Sequence, residues 1–275
     1  MADTPADRRP GVLRVYLLLL RSRVAAQASY RSSFTLDLIG QGAIVLLELV
    51  EVLAVFHQVS RLAGFGVNDV LVIFGLGSTA FAVADLVVGQ IDRLGEHIRR
   101  GTLEIFLVRP LSVLGQLVTA DLQLRRLGRL GLALGVLAVA VHRAGIDWTP
   151  ARVALLLLTP VCGAVIFAAM WVAVSTVTVW LVEGAEFANA VTYGGSYLAQ
   201  WPFSVFNLAL SRFFTFVLPT GFVAYLPAVV ILGRAEPTGL PTWLAWCTPL
   251  AAGWAVLLAA LSWRAGLRHY VGAGG

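Results

Sequence analysis

Four carboxylates inside apolar stretches of this 275-residue chain are the side chains best placed to do chemistry: Asp37, Glu48, Glu51 and Asp85. An acidic group inside a membrane is costly, so each is first taken as a candidate functional residue. Glu48 and Glu51 are three residues apart and share a helix face, where they could bind a cationic substrate or relay a proton. The alternative is structural, with the acids near the ends of their spans or paired with Arg61 or Arg93.

Other kinds of chemistry lack their residues. All 20 basic residues are arginine, so the chain has neither a P-loop lysine for ATP phosphates nor a Schiff-base amine. The four histidines show no metal-ligand spacing, and Cys162 and Cys247 each stand alone, which gives no metal or CxxC redox site. We therefore expect no catalytic residue, no metal and no cofactor on this chain.

The composition places the acids in a membrane. Hydrophobic residues make up 59% of the chain and charged residues 13%, whereas soluble domains have about 25% charged residues. Repeated apolar runs near span length predict an all-α polytopic membrane protein. In such a protein, the net charge of +5 indicates cytoplasmic loops rather than nucleic-acid binding.

The apolar runs predict a single transmembrane domain over 1–275 with six transmembrane helices, at 34–56, 70–90, 111–141, 153–181, 185–201 and 243–263. The first half of the third span is expected to protrude from the membrane, because it carries Asp121, Arg125, Arg126 and Arg129. Within the same span, Gly131 and Gly135 form a GxxxG motif that permits close packing inside the chain or at a dimer seam.

Two further segments fall outside the simple spans. Residues 10–31 have helical spacing of apolar side chains with arginines on the other side, which predicts an interfacial helix within a cytoplasmic or interfacial N-terminus over 1–33; the alternative is a solvated tail. Residues 203–232 are apolar but interrupted by Pro219 and Pro227, which predicts a re-entrant hairpin near the outer side.

The arginines orient the chain. Fifteen lie in residues 1–33, 91–130 and the tail from 264, and five lie in the other connecting segments. Because cytoplasmic loops are enriched in arginine, both termini and residues 91–130 are expected in the cytoplasm.

Residues 91–112 predict two short helices at that cytoplasmic surface. Arg99 and Arg100 suit a helix C-terminus, and Gly101 suits the left-handed residue that ends a helix. Thr102 can cap a second helix, on one face of which lie Leu103, Phe106 and Leu107. Such a helix could dock into a groove on a partner or rest on lipid headgroups, and the residues alone leave both open.

Several short motifs resemble one family. Gly101-Thr-Leu-Glu104 followed by Phe106-Leu107-Val-Arg109-Pro110-Leu111 is similar to the cytoplasmic loop of bacterial ABC exporter permeases of the ABC-2 type. The resemblance is to the short six-span branch without a fused ATPase, and it covers nearly the whole chain. Further similar stretches, in the same order and spacing, are Trp180-Leu-Val-Glu183, Trp201-Pro202, Pro219, Tyr225-Leu-Pro227, Leu267-Arg268-His-Tyr270 and Gly272-Ala-Gly274.

The resemblance implies a permease subunit that does no chemistry itself. It would form the translocation path with a second permease, a related chain or itself, in the bacterial cytoplasmic (inner) membrane. A coupling helix at about Arg100–Arg109 would contact a separate ABC ATPase dimer, which holds ATP and Mg²⁺. Leu103, Phe106 and Leu107 would insert into the ATPase, with a polar rim of Arg99, Arg100, Glu104 and Arg109. The alternative is a self-sufficient secondary transporter or channel that uses the intramembrane carboxylates.

Overall fold

The computed structural model describes residues 31–120, 123–181 and 184–270, and their regular structure is helical throughout. The all-α class predicted from composition is therefore confirmed. The predicted interfacial helix over 10–31 lies outside the described residues, apart from Arg31, which begins the first described helix.

Eleven α-helices make up the described part of the chain. They are α1 (Arg31–Gln58), α2 (Val67–Val88), α3 (Leu94–Arg99), α4 (Leu103–Val108), α5 (Val113–Ala120), α6 (Leu127–Arg143), α7 (Pro150–Ser175), α8 (Gly184–Leu198), α9 (Leu208–Phe216), α10 (Tyr225–Leu232) and α11 (Thr248–His269). Short 3-10 segments extend or join them at Gly89–Arg93, Leu124–Arg126, Thr176–Val179, Phe203–Val205, Pro219–Phe222 and Thr242–Cys247.

Four helical stretches in the described part are long and apolar enough to cross a membrane: Thr35–Gln58, Val67–Arg99, Pro150–Val179 and Thr242–His269. The chain is therefore a multi-pass membrane protein. Helices α6 and α8, at the predicted third and fifth spans, have only 17 and 15 residues. A 15-residue helix is about 22 Å long, which is less than the roughly 30 Å of a bilayer core.

The long helices alternate in direction. Helices α2, α7 and α11 end on one side of the bundle, and α6 and α8 begin there. We call this side the loop face, because it carries the connecting residues 94–120. The contacts that set these directions are Gly163–Ala80 and Trp171–Asp92 for α2 with α7, Gly75–Leu137 and Asp85–Arg126 for α2 with α6, Gly184–Thr178 and Gly195–Met170 for α7 with α8, and Gly266–Thr176 for the ends of α7 and α11.

The predicted third span is not one continuous helix. It divides into α5 and α6, and the arginines at the start of α6 lie inside the bundle. Arg126 and Arg129 are both buried, with 9% and 5% of their surface exposed. Their acidic partners are on other helices, which the local pattern of one segment does not show. Protrusion of this part from the membrane stays a prediction.

The proline-marked region is broken into short helices, as predicted, and the chain bends by 76° between α9 and the segment Pro219–Leu232. Pro219 begins a 3-10 turn at the bend. Pro227, in contrast, does not break the chain, because it lies in the first turn of α10. A residue there needs no backbone N–H, since the first N–H groups of a helix have no partner within it.

Helices pack closely at glycines outside the GxxxG motif. A Cβ atom added at Gly131 or Gly135 would meet nothing within 4 Å. At Gly128 it would overlap the backbone carbonyl oxygen of Leu38, so this glycine lets α6 touch α1. The motif therefore does not pack inside the described chain, and a seam between two permeases there stays a prediction.

Candidate functional site

The turn between α3 and α4 is built as the sequence predicted. Arg99 is the last residue of α3, and the exposed Arg100 side chain forms an ion pair with Glu96 at 2.8 Å. Gly101 has φ of +66°, the left-handed conformation that glycine adopts most easily. This turn sets the start of α4 on the loop face.

Thr102 occupies the cap position of α4, but its side chain does not cap the helix. Its Oγ1 atom instead lies 2.8 Å from Nδ1 of His97 in the preceding helix. The backbone N–H of Thr102 also donates to the carbonyl oxygen of His97, at 3.0 Å. These bonds fasten the beginning of α4 to α3.

The two sides of α4 differ from the expectation. Leu103 is fully buried within the chain, and Phe106 is half-buried with its ring centroid 5.3 Å from that of His97. The prediction that Leu103 inserts into a partner is therefore wrong, because its own bundle covers this side chain. Insertion of the half-buried Phe106 and the exposed Leu107 stays a prediction. The exposed apolar residues are Ile105, Leu107 and Val108, the last with 86% of its surface exposed. The exposed charged residues around them are Arg99, Arg100, Glu104 and Arg109.

Gln116 holds the other end of α4. This buried side chain on α5 donates from Nε2 to the carbonyl oxygens of Phe106, at 2.9 Å, and Leu111, at 3.1 Å. It thereby satisfies a carbonyl near the C-terminus of α4, where helices leave such groups unpaired. Helix α4 is consequently anchored at both ends, although it has only six residues.

The two acids of α1 face other helices. Glu48 forms an ion pair with Arg129 of α6 at 3.1 Å, and its other oxygen accepts from Gln200 at 3.2 Å. Glu51 accepts a hydrogen bond from the Tyr197 hydroxyl. Glu48 is thus partly buried between helices, whereas Glu51 contacts Tyr197 from an exposed position and Asp37 is exposed near the beginning of α1.

Asp85 on α2 forms the most buried ion pair of the described residues. Its carboxylate is 3.2 Å from the Arg126 guanidinium, with side-chain exposures of 7% and 11%. Arg126 also donates to the backbone carbonyl of Asp85. The structural alternative was thus right that acids pair with arginines, but the partners are Arg126 and Arg129 rather than Arg61 or Arg93.

Asp92 is a polar residue that the sequence did not single out. One carboxylate oxygen accepts from the indole N–H of Trp171, and the other accepts from the Tyr193 hydroxyl at 3.1 Å. The rings of Trp171 and Tyr193 pack edge to face, with centroids 5.6 Å apart. The available signal was spacing, since Asp92 follows Asp85 by seven residues, about two helical turns, in the 3-10 segment that continues α2.

These groups surround a polar cleft of about 330 Å³ on the loop-face half of the bundle, between α1, α2, α6 and α8. Of the four candidate substrate-path acids only Asp85 lines it, while Glu48 lies behind Arg129. Other polar side chains of the lining are Gln41, Gln90, Asp92, Arg93, Gln123, Arg125, Arg126, Arg129 and Tyr193. Among the described residues no cluster of three His, Cys, Asp or Glu side chains could hold a metal.

The comparisons with known proteins agree with the membrane architecture. The model of one protein family, described as "ABC-2 family transporter protein", matches residues 43–274, which is most of the chain and includes α2 to α11. No curated protein and no solved structure matches the chain.

Proposed function

Because this chain belongs to the ABC-2 family of transporter proteins, we propose that it is a permease subunit whose transport is driven by a separate ABC ATPase dimer. The family makes it a membrane component of an ABC transporter. We further propose that it forms the translocation path with a second permease, related or identical, and exports its substrate across a bacterial inner membrane. ATP and Mg²⁺ are then bound by the ATPase rather than by this chain.

The proposed coupling to the ATPase is supported by the residues on the outward side of α4. Ile105, Leu107 and Val108 expose apolar surface on a loop otherwise rich in charged residues. Burial of one such side chain is worth roughly 1.5–3 kcal/mol, so three give a partner a strong contact. The surrounding Arg99, Arg100, Glu104 and Arg109 suit the polar rim of an interface.

The anchoring of α4 supports transmission of a push from the ATPase to the membrane helices. Leu103 is buried in the core, and Gln116 joins the end of α4 to α5. A displacement of α4 therefore carries neighbouring elements with it instead of being absorbed by a loose loop. The pairing of Glu48 and Asp85 with buried arginines also favours an ATP-driven subunit over a carboxylate relay.

Val108→Asp is expected to reduce co-purification with the partner ATPase by at least roughly tenfold, because anchors at an interface centre contribute about 2 kcal/mol or more. The folded permease should survive, since Val108 is 86% exposed. The assay is a pull-down of the full-length chain with ABC ATPases from the same genome, followed by transport. Glu104→Ala, an exposed charge on the same helix, serves as the matched control and should have less effect. Normal co-purification and transport by Val108→Asp would show that α4 rests on headgroups.

The loop face is expected to be cytoplasmic, because residues 91–130 hold seven of the 20 arginines. Single cysteines at the exposed Arg100 and Asp147 test this in a variant without Cys162 and Cys247. Asp147 is preferred to the adjacent turn residue Gly145, whose φ of +61° disfavours a side chain. A membrane-impermeant maleimide should label Asp147→Cys in intact cells and Arg100→Cys only after permeabilisation. The reverse pattern would overturn the orientation.

A further inference from the structure

We propose that the polar cleft binds the oxyanion group, a carboxylate or a phosphate, of the transported substrate. This assignment rests on the proposed function for its place in transport, but the binding itself belongs to residues of this chain. The ligand charge is opposite to the one suggested by the acids in the sequence, because Glu48 and Asp85 pair with arginines and neither Asp37 nor Glu51 lines the cleft.

Two buried donors in the cleft lack an acceptor. Within the described ranges, Nε2 of Gln90 and Nε of Arg129 have no hydrogen-bond partner, although each residue is only 5% exposed. A buried donor without a partner is unfavourable, and both atoms belong to residues that line the cleft. Neither atom is accessible from the cleft itself, so these donors contribute positive polarity beneath its wall, which favours an anion over a cation, and a small side-chain movement would bring them to a ligand oxygen.

Each carboxylate near the cleft already has a hydrogen-bond or ion-pair partner within the chain. Asp85 pairs with Arg126, Asp92 accepts from Trp171 and Tyr193, and Glu48 behind the wall pairs with Arg129. The charges of Asp85 and Glu48 are therefore balanced within the chain, and two donors already bind the Asp92 carboxylate. These acids attract a cation less strongly than free carboxylates would.

Arg125 supplies positive charge to the same cleft. Its Nε and Nη2 atoms donate to the amide oxygen of Gln123, at 3.0 and 2.7 Å. This acceptor is neutral, and no carboxylate of the described residues forms an ion pair with Arg125. The planar guanidinium matches the geometry of carboxylate and phosphate oxygens, so it is suited to an oxyanion.

The position and size of the cleft fit the polar headgroup of an amphiphilic substrate. Its volume of about 330 Å³ is at the lower end for ligand sites, and its lining is mostly polar, with Ile44 among the few apolar residues. The cleft lies at the end of the bundle that carries α4, the side from which an exporter receives its substrate. A polar headgroup would thus be held close to the helix that is proposed to contact the ATPase.

Binding of simple amphiphiles to the full-length chain in a neutral maltoside detergent tests the site. The probes are dodecyl phosphate, dodecanoate and dodecyltrimethylammonium, with affinity measured by titration calorimetry. We expect the two anions to bind roughly tenfold or more tightly than the cation, since hydrogen bonds to charged groups are the stronger ones. Competition by inorganic phosphate would identify a site for free oxyanions, and its absence would identify a lipid-like headgroup; both outcomes support the oxyanion site.

Two variants assign the binding to the cleft. Arg125→Gln and Gln90→Leu should each weaken anion binding about tenfold, and Gln90→Leu keeps the comparison informative if Arg125→Gln does not fold. Arg268→Gln removes an exposed arginine near the end of α11 and should leave the affinity unchanged. Equal binding of the cation, or unchanged anion affinity in both cleft variants, would overturn the proposal. Because this measurement needs no ATPase, failure of the coupling proposal would be seen separately.

Discussion

Arg126→Leu is expected to lower the free energy of unfolding by about 3–5 kcal/mol, because it leaves a buried carboxylate without its partner. The Asp85 side chain is 7% exposed and its ion pair with Arg126 is 3.2 Å long. Leucine cannot supply the lost charge or the hydrogen bond to the Asp85 carbonyl. The measurement is unfolding of the purified chain by SDS titration in mixed micelles, with helicity as the signal.

The chain offers a matched control for this effect. Arg100 and Glu96 form a shorter ion pair, 2.8 Å, but their side chains are 72% and 40% exposed. Arg100→Leu should therefore cost only about 0.3–0.5 kcal/mol. The double variant Arg126→Leu/Asp85→Leu should regain most of the stability, since an apolar pair of similar volume often replaces a buried ion pair. Similar losses for Arg126→Leu and Arg100→Leu would mean that water reaches the Asp85 pair.

The second large effect is expected at Gly128, where even a methyl group must separate two helices. A Cβ atom there would overlap the carbonyl oxygen of Leu38, and this atom belongs to a helix backbone that cannot move aside alone. Overpacking of this kind costs about 1–3 kcal/mol, so Gly128→Ala should destabilise the contact between α1 and α6. The same SDS titration measures it, and crosslinking of cysteines across α1 and α6 would report the separation.

Gly131→Ala is the control, because it lies on the same helix with open space around its Cβ position. Alanine at position 131 should raise the free energy of unfolding by up to roughly 1 kcal/mol, because it has a better helix propensity than glycine. Equal stability of the two alanine variants would show that α1 does not pack on α6 at Gly128. Loss of stability in Gly131→Ala alone would indicate that the GxxxG motif is covered by a second subunit.

The sequence predicted the features that depend on neighbouring residues. Apolar run length predicted the long helices, and the Arg100-Gly101-Thr102 turn predicted where α3 ends and α4 begins. The break at Pro219 followed from the missing N–H of proline. Each of these depends on backbone chemistry within a few residues, which a single chain shows directly.

The features that failed depend on contacts between distant segments. Arg126 and Arg129 seemed too polar for the membrane, because their partners Asp85 and Glu48 precede them by 41 and 81 residues. Leu103 seemed available to a partner, because the hydrophobic pattern of α4 does not show which side its own bundle covers. The polar cleft could not be predicted for the same reason, since it joins side chains from several helices.

The two charge pairs of α6 bear on how the chain is inserted during synthesis. An arginine at the centre of a lone span costs about 2.5–3.5 kcal/mol to insert, and less near the ends, so Arg126 and Arg129 disfavour entry of α6 into lipid by itself. Glu48 and Asp85 belong to the two helices made before it, α1 and α2. We therefore expect α6 to leave the translocon together with α1 and α2, as one three-helix unit whose charges are already neutralised.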